Sequence, residues 1–352
     1  MPRPLDPELP RCPLHEKGRV TRSGTYTAHE RVLYRCLPLR AATPHTFTLE
    51  PKGFRRGFRY PTAEIARALW MLGRGASFWQ AGADARERTG RPESNDTNLA
   101  AFWLERFGEP IFEQLRPRPQ KLHSVIVDSV PFNVATVDYK GMPVEGGTMR
   151  FVVFGAATQK RVGGPYQVLL LRAYRHKDAY AWRSFLREID GEAQRIVCDG
   201  EQALLQSAKA RWPRAKVSLS VVQVRLRAEA ILTKHGLQSR KKPLWKALRP
   251  SMRTASAWRR FVRLAREQRL PDLERWIIDT EAVLGPQVAR HERFTSTSVI
   301  ESVLRRVKKD LTLQRGSYKR LERLSLLLNL HTLALNHVDN EATYARIIGA
   351  AR

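Results

Sequence analysis

The sequence is poor in cysteine. Its 352 residues contain only three, at positions 12, 36 and 198. So few thiols cannot build the dense disulfide framework of small secreted domains, and they fit a reducing compartment. We expect a cytosolic protein.

Long apolar runs are also lacking. No stretch of the sequence approaches the roughly 18 apolar residues of a membrane span. The N-terminal residues carry no apolar signal region. We expect neither membrane insertion nor secretion.

Acidic residues are scarce relative to basic ones. The 62 Lys and Arg residues outnumber 34 Asp and Glu, which gives a formal net charge of +28. A chain this basic is typical of proteins that neutralise the phosphates of nucleic acid. The alternative is a ribosome-associated or generally adhesive protein.

The first segment, residues 1–52, carries a spacing that suits zinc. Two ligand-type pairs occur there as C-x2-H and C-x8-H, formed by Cys12, His15, Cys36 and His45. Zinc takes four thiolate or imidazole ligands in a tetrahedron. We expect a zinc ribbon, although two buried cysteines and two surface histidines that bind no metal would give the same sequence pattern.

Residues 53–119 have helical texture. Thr62 can cap a helix that Gly73 and Gly75 end, and 78–88 then reads as a second helix. Helix, glycine-containing turn and helix is the outline of a helix-turn-helix, although many helical hairpins that bind nothing share it. One or two further helices are expected over 95–115.

Residues 120–224 change to strands that alternate with helices. Apolar runs at 125–127 and 196–198 each end in a carboxylate, Asp128 and Asp199. Further strands are expected at 151–154, 168–171 and 217–222, with helices at 178–189 and 201–212. The order predicts an α/β fold with a sheet of mixed polarity.

Residues 225–293 return to a helical and strongly basic texture. Between positions 225 and 269 there are fourteen Lys or Arg against two Glu. Such a run is often a solvated helix face, but its density favours a DNA-contacting insertion in which Trp258 stacks on unpaired bases.

The last segment, residues 294–352, contains a third acid on a helix. Ile300, Leu304, Val307 and Leu311 form an apolar stripe, and Glu301 shares a face with Arg305 and Lys308. This pattern suits a metal–phosphate site, although a surface ion pair would also produce it. The basic residues proposed here for DNA binding are Arg305, Lys308, Lys309, Arg315, Lys319 and Arg320.

Together these motifs resemble bacterial DDE transposases of the Mutator-like group. The matching stretches are Val127-Asp128-Ser129, Cys198-Asp199-Gly200 and Ser298-Val-Ile-Glu301 with basic residues downstream. One departure is that Ser220 and Gln223 stand where that group has a C-x2-H pair.

The resemblance implies an RNase H-like core interrupted by a helical insertion. Asp128, Asp199 and Glu301 would be catalytic and bind two Mg²⁺ (or Mn²⁺), with structural Zn²⁺ in the N-terminal ribbon. The ribbon and the helix-turn-helix would read the ends of a transposon. The protein would act in the bacterial nucleoid as a homodimer or larger assembly on double-stranded DNA. The alternatives are a catalytically inactive DNA-binding regulator and an RNase H-like nuclease that does not join strands.

Overall fold

The computed structural model describes residues 9–12, 14, 19–26, 31–38, 43–48, 53, 58–92, 95–137, 143–159, 164–239, 242–289, 296–313 and 320–350. The chain divides into two compact units. The smaller unit consists of residues 1–66 and 341–352, and the larger one of residues 67–340.

The smaller unit contains a three-stranded antiparallel sheet. Its strands lie in sequence order and are β1 (Arg19–Tyr26), β2 (Arg31–Leu37) and β3 (His45–Thr48). Cys12, Val20 and Cys36 form a buried cluster at this sheet, against which Tyr34 and Phe47 pack. A cluster of this size buries little apolar surface, so a bound metal would add to its stability.

Three helices follow along the chain, namely α1 (Thr62–Gly73), α2 (Phe78–Arg88) and α3 (Asp96–Leu115). The first helix begins within one residue of the predicted position. Thr62 is its first residue and not its cap, and the Thr62 hydroxyl donates to the Gly53 carbonyl. Ser77 and Gln80 form a capping box at the start of α2, and Asn95 caps α3 through the Asn98 backbone N–H. These caps satisfy backbone donors that a helix start leaves open.

The larger unit is built on a five-stranded mixed sheet. In chain order the strands of this unit are β4 (Lys121–Leu122), β5 (Val125–Val137), β6 (Pro143–Gln159), β7 (Tyr166–Tyr174), β8 (Glu192–Ala193), β9 (Arg195–Cys198) and β10 (Lys216–Leu219). The sheet order is β10-β9-β5-β6-β7, and β4 pairs separately with β8. β5, β6 and β7 are antiparallel, whereas β9 and β10 run parallel to β5. The prediction of a mixed α/β sheet is therefore confirmed.

Two helices connect the strands of the parallel part of the sheet. α4 (Ala179–Arg187) lies between β7 and β9 in the chain, and α5 (Gln202–Arg211) lies between β9 and β10. Trp182 and Phe185 of α4 are fully buried and contact Phe154 of β6, with ring centroids 4.1 and 5.6 Å away. This aromatic cluster holds α4 against the antiparallel strands.

The basic segment after β10 is helical in its described part. Its helices are α6 (Val221–Lys234), α7 (Pro243–Ser251), α8 (Ala255–Glu267) and α9 (Pro271–Ala289). The structure corrects the prediction for Trp258. Its side chain is 3% exposed and its ring lies 5.9 Å from Phe261 and 6.1 Å from Trp276, so it packs between α8 and α9 and presents no face to a base.

The chain returns to the sheet through α10 (Ser298–Leu313), followed by α11 (Leu321–Leu335) and, in the smaller unit, α12 (Glu341–Ala350). The predicted stripe of α10 is confirmed, because Ile300, Leu304, Val307 and Leu311 are all buried. α10 crosses β6 at Gly155, where an added Cβ would lie 2.8 Å from Ile300 Cδ1. Glycine at this position lets the helix approach the sheet closely.

One expectation about an element boundary was wrong. The strand expected over 217–222 ends at Leu219, and α6 begins at Val221, so the β-branched pair Val221-Val222 starts a helix. Local propensity is a weak guide where tertiary packing decides.

Candidate active site

Asp128 lies in the central strand of the sheet. It is the fourth residue of β5, which continues beyond it because its pairing with β6 persists, with Asp128 opposite Gly155. On the other edge β9 pairs in parallel, with Val125 opposite Ile196 and Ile126 opposite Val197. Continuing this register by two residues brings Asp128 level with Asp199, the residue after β9 ends.

Asp199 lies in the tight connection between β9 and α5. Gly200 adopts φ +85°, a left-handed conformation that disfavours any other residue. This turn lets the Glu201 backbone N–H donate to Asp199 Oδ1 at 3.1 Å, while Arg227 of α6 donates to Oδ2 at 3.2 Å. Each oxygen of the carboxylate therefore accepts a hydrogen bond.

Glu301 is in the first turn of α10, close to the point where that helix crosses β6 at Gly155. Its Oε1 accepts hydrogen bonds from Gln223 Nε2 at 2.7 Å and from Thr297 Oγ1 at 2.6 Å. Thr297 is fully buried. The predicted acids therefore lie on neighbouring elements. Gly155 is opposite Asp128 in the strand pair, and α10, which carries Glu301, passes over Gly155.

The acids influence one another electrostatically. Burial is the largest cause that raises the pKa of Asp128 from 3.8 to about 6, and the charges of Asp199 and Glu301 raise it further. The Ser129 backbone N–H, which donates to Asp128 Oδ1 at 2.7 Å, and the Lys177 charge act in the opposite direction. Like charges gathered in a partly buried site make a cation favourable there.

The three carboxylates do not converge on one point. Among the described residues, the only group of three ligand-type side chains with all ligand atoms within 4.8 Å of one another lies elsewhere, in the smaller unit. Asp199 is turned towards Arg227 and Glu301 towards Gln223 and Thr297. The donor set is nevertheless suitable for Mg²⁺ or Mn²⁺, which prefer carboxylate oxygens.

Four residues of this region were not predicted as site residues: Lys177, Gln223, Arg227 and Thr297. The Lys177 charge acts on Asp128, and its Nζ lies 2.6 Å from Glu201 Oε2. No spacing rule connects α6 with α10, since Gln223 and Glu301 are 78 positions apart. The one available signal was the departure from the family pattern at Ser220 and Gln223.

The predicted DNA-binding cations fall into two groups. Arg305, Lys308, Lys309 and Arg320 are exposed, and Lys308 Nζ also lies 5.6 Å from the ring centroid of Phe132. Arg315 and Lys319 lie outside the described residues.

The smaller unit brings together three of the four predicted zinc ligands. Cys36 and His45 face each other across β2 and β3, and Cys12 Sγ lies 3.3 Å from His45 Nε2. The ligand atoms of these three residues all lie within 4.8 Å of one another. The pKa of the Cys36 thiol is raised, first by burial and then by Cys12, and a bound cation would reverse this.

The expected fourth ligand, His15, lies outside the described residues. The Leu14 backbone N–H donates to Cys12 Sγ at 3.4 Å, an arrangement that favours a thiolate. Two sulfurs and an imidazole fit zinc better than magnesium or calcium.

No protein-family model matches the chain, and no curated protein is significantly similar to it. Within the part of the chain that the structure describes, no helix is both long enough and apolar enough to cross a membrane.

Proposed function

We propose that the protein is a DNA transposase in which Asp128, Asp199 and Glu301 form a metal-binding catalytic triad. The observation that carries the proposal is the gathering of these acids, 173 positions apart at their extremes, beside the central strand of one sheet. Structural ion-pair networks also bring acids together, by pairing them with cations. Within the described residues, Asp199 is the only one of the three acids that forms an ion pair.

The sheet supports an RNase H-like core. Three antiparallel strands are followed by two parallel ones on the free edge of the first strand, and helices connect the later strands. A helical segment then separates the fifth strand from the helix that carries Glu301, as the resemblance to transposases implies.

The residues have distinct roles in this proposal. Bound Mg²⁺ or Mn²⁺ would activate a water or a DNA 3′-hydroxyl and stabilise the leaving oxygen. Asp128, Asp199 and Glu301 would hold the cation, Thr297 and Gln223 would keep Glu301 oriented, and Lys177 would attract the phosphate diester. Partly buried acids beside one lysine are suited to metal-assisted phosphoryl transfer.

Basic surface in the larger unit supports DNA as the substrate. A cleft of about 560 Å³ is lined by Arg259, Arg263, Arg266 and Arg269 together with Glu267 and Glu281. Within the described part of the chain, no acid pairs with Arg259, Arg263 or Arg266. Guanidinium groups spaced along one face of α8 fit the phosphates of a DNA strand.

The N-terminal zinc ribbon and the helices α1 and α2 are proposed to read transposon ends. A single site must address two ends, so we propose a homodimer or larger assembly on DNA.

The test is a Mg²⁺-dependent assay of cleavage and joining with labelled transposon-end DNA and a target plasmid. Asp199→Asn and Glu301→Gln should each lower cleavage by about 10³-fold or more, since groups that act as a unit fail together. Asp279→Asn, an exposed change on α9, is the matched control. Full activity of the triad variants would overturn the proposal.

The same assay separates the alternatives. Cleavage without joining would identify a nuclease, and salt-sensitive DNA binding without cleavage would identify a regulator.

A further inference from the structure

One face of α6 contacts two of the three acids. Ser220 precedes the helix, and Gln223 and Arg227 follow at three and seven positions, so their side chains lie on one side of it. We call these three residues the α6 face. Gln223 donates to Glu301 and Arg227 donates to Asp199.

The contact to Glu301 is made by neutral donors. Thr297 Oγ1 lies 2.6 Å from Glu301 Oε1 and 3.0 Å from Ser220 Oγ. Thr297 has one hydroxyl hydrogen, and an ionised carboxylate is the stronger acceptor, so Thr297 donates it to Glu301. Neutral donors fix the carboxylate without repelling a cation, so Glu301 is already oriented for a metal.

The contact to Asp199 is different, because its donor is charged. Oδ1 accepts from the Glu201 backbone, and Oδ2 accepts from Arg227. Each oxygen keeps a second lone pair for a metal ion, but a guanidinium and a divalent cation on the same carboxylate repel each other. Each therefore weakens the binding of the other to Asp199.

The ion pair between Arg227 and Asp199 is of the kind that a cation can displace. The Arg227 side chain is 47% exposed, against 16% for Asp199, and pairs that exposed are weak. The guanidinium also lies beside Gly200, where an added Cβ would be 3.8 Å from Arg227 Nη1. A released Arg227 therefore remains at the edge of the site.

We propose that Arg227 is a counter-ion that a divalent cation displaces from Asp199, and that the displaced guanidinium then binds a phosphate of the DNA strand. This inference rests on the proposed function. It makes Arg227 a positioning residue whose partner changes from a carboxylate to a phosphate when metal binds. It couples metal binding to DNA binding in one side chain.

The first experiment measures Mn²⁺ binding by calorimetry on the full-length, zinc-loaded chain without DNA. Arg227→Gln should bind Mn²⁺ about two- to fivefold more tightly than the wild type, because an exposed pair of this kind no longer competes. Arg227→Lys keeps the charge and should restore the wild-type affinity. Arg225→Gln is the matched control on the same helix, since Arg225 pairs with Glu229 and not with a site acid.

The second experiment measures DNA affinity against salt concentration, with and without Ca²⁺ as a cation that does not support cleavage. The slope of log affinity against log salt should steepen with Ca²⁺ by about one phosphate contact in the wild type and not in Arg227→Gln. Any effect of Arg225→Gln on this slope should be the same with and without Ca²⁺.

Asp199→Asn distinguishes the failure of this inference from that of the proposed function. If Asp199→Asn weakens Mn²⁺ binding while Arg227→Gln binds it as the wild type does, the role of Arg227 is overturned and the metal site stands. If Asp199→Asn leaves Mn²⁺ binding unchanged, both proposals fall. A calcium effect on the slope that persists in Arg227→Gln would also overturn the role of Arg227.

Discussion

The two ligand clusters of this protein are built in opposite ways. In the smaller unit, Cys12, Cys36 and His45 come from a short stretch of chain, and their ligand atoms lie within 4.8 Å of one another. In the larger unit, the carboxylates come from three distant elements, and two of them accept hydrogen bonds from Arg227, Gln223 and Thr297. Closed, sulfur-rich clusters are typical of structural zinc, and open carboxylate sites are typical of catalysis.

The difference shows how each site obtains its geometry. Antiparallel pairing of β2 with β3 is enough to place Cys36 opposite His45. The carboxylate site instead needs the parallel register of β5 with β9 and the passage of α10 over Gly155. We therefore expect substitutions at the proposed zinc site to act through loss of zinc. Substitutions at the proposed catalytic site should act through small shifts in packing.

The largest effect is expected for Cys36→Ser. The buried cluster around Cys36 is small, and structural zinc contributes about 10 kcal/mol to the folding of such modules. The variant should lose bound zinc, measured by elemental analysis, and residues 1–52 should become sensitive to protease. Cys198→Ser changes a buried cysteine outside the cluster and should keep one zinc per chain. Full zinc content in Cys36→Ser would refute a structural zinc site.

The next effect is a gain in stability, for Asp128→Asn without added Mg²⁺. The native pKa of about 6 lies above the ordinary 3.8, so between these values the folded protein holds a proton that the unfolded chain releases. Stability falls as pH rises through this window. The ionised group therefore destabilises the fold by about 3 kcal/mol above pH 6, at 1.36 kcal/mol per unit.

Asp128→Asn lacks this penalty and should be more stable than the wild type at pH 7.5 and equal to it near pH 4. Urea unfolding at both pH values measures the difference. A variant that is less stable at pH 7.5 would mean that Asp128 is satisfied in the metal-free fold, unlike a site that awaits a cation.

A smaller effect, a loss of stability, is expected for Gly155→Ala. The new Cβ would lie 2.8 Å from Ile300 Cδ1 and 3.2 Å from Leu304 Cδ2, so α10 or its side chains must move, at about 1–3 kcal/mol. Cleavage should fall as well, because Glu301 moves with α10. In Gly349→Ala, on α12, the Cβ meets nothing within 4 Å. That helical change should stabilise the protein by up to about 1 kcal/mol, and thermal unfolding compares the two variants.

The smallest effect is expected for Gln223→Leu, which removes the amide that donates to Glu301. Loss of an outer partner of a metal ligand lowers metal affinity or activity by about tenfold or more. Cleavage at increasing Mg²⁺ should show a higher metal requirement, with the melting temperature little changed. Wild-type metal dependence would assign the orientation of Glu301 to Thr297 alone.

Much of the larger unit could be predicted from local pattern. Apolar runs ending at Asp128 and Asp199 gave two strands of the sheet, and the stripe through Ile300, Leu304 and Val307 predicted the buried side of α10. These features could be predicted because a helix or strand that is buried on one side repeats its apolar residues with the period of that element. The start of α6 was not predicted because Val221 and Val222 favour strands. Trp258 was predicted to be exposed because its neighbours in sequence are basic, and they do not show that its ring is buried.

The sequence alone therefore determined which side chains are available: three carboxylates, a cysteine–histidine set and an excess of cations. It also determined the period and length of most elements, because backbone sterics and burial act over a few residues. Only the tertiary structure decided that Gln223 and Arg227 contact Glu301 and Asp199, and that Thr297 supports one of them. Such contacts join positions up to 78 apart, and they depend on how helices pack on the sheet, which no local pattern records.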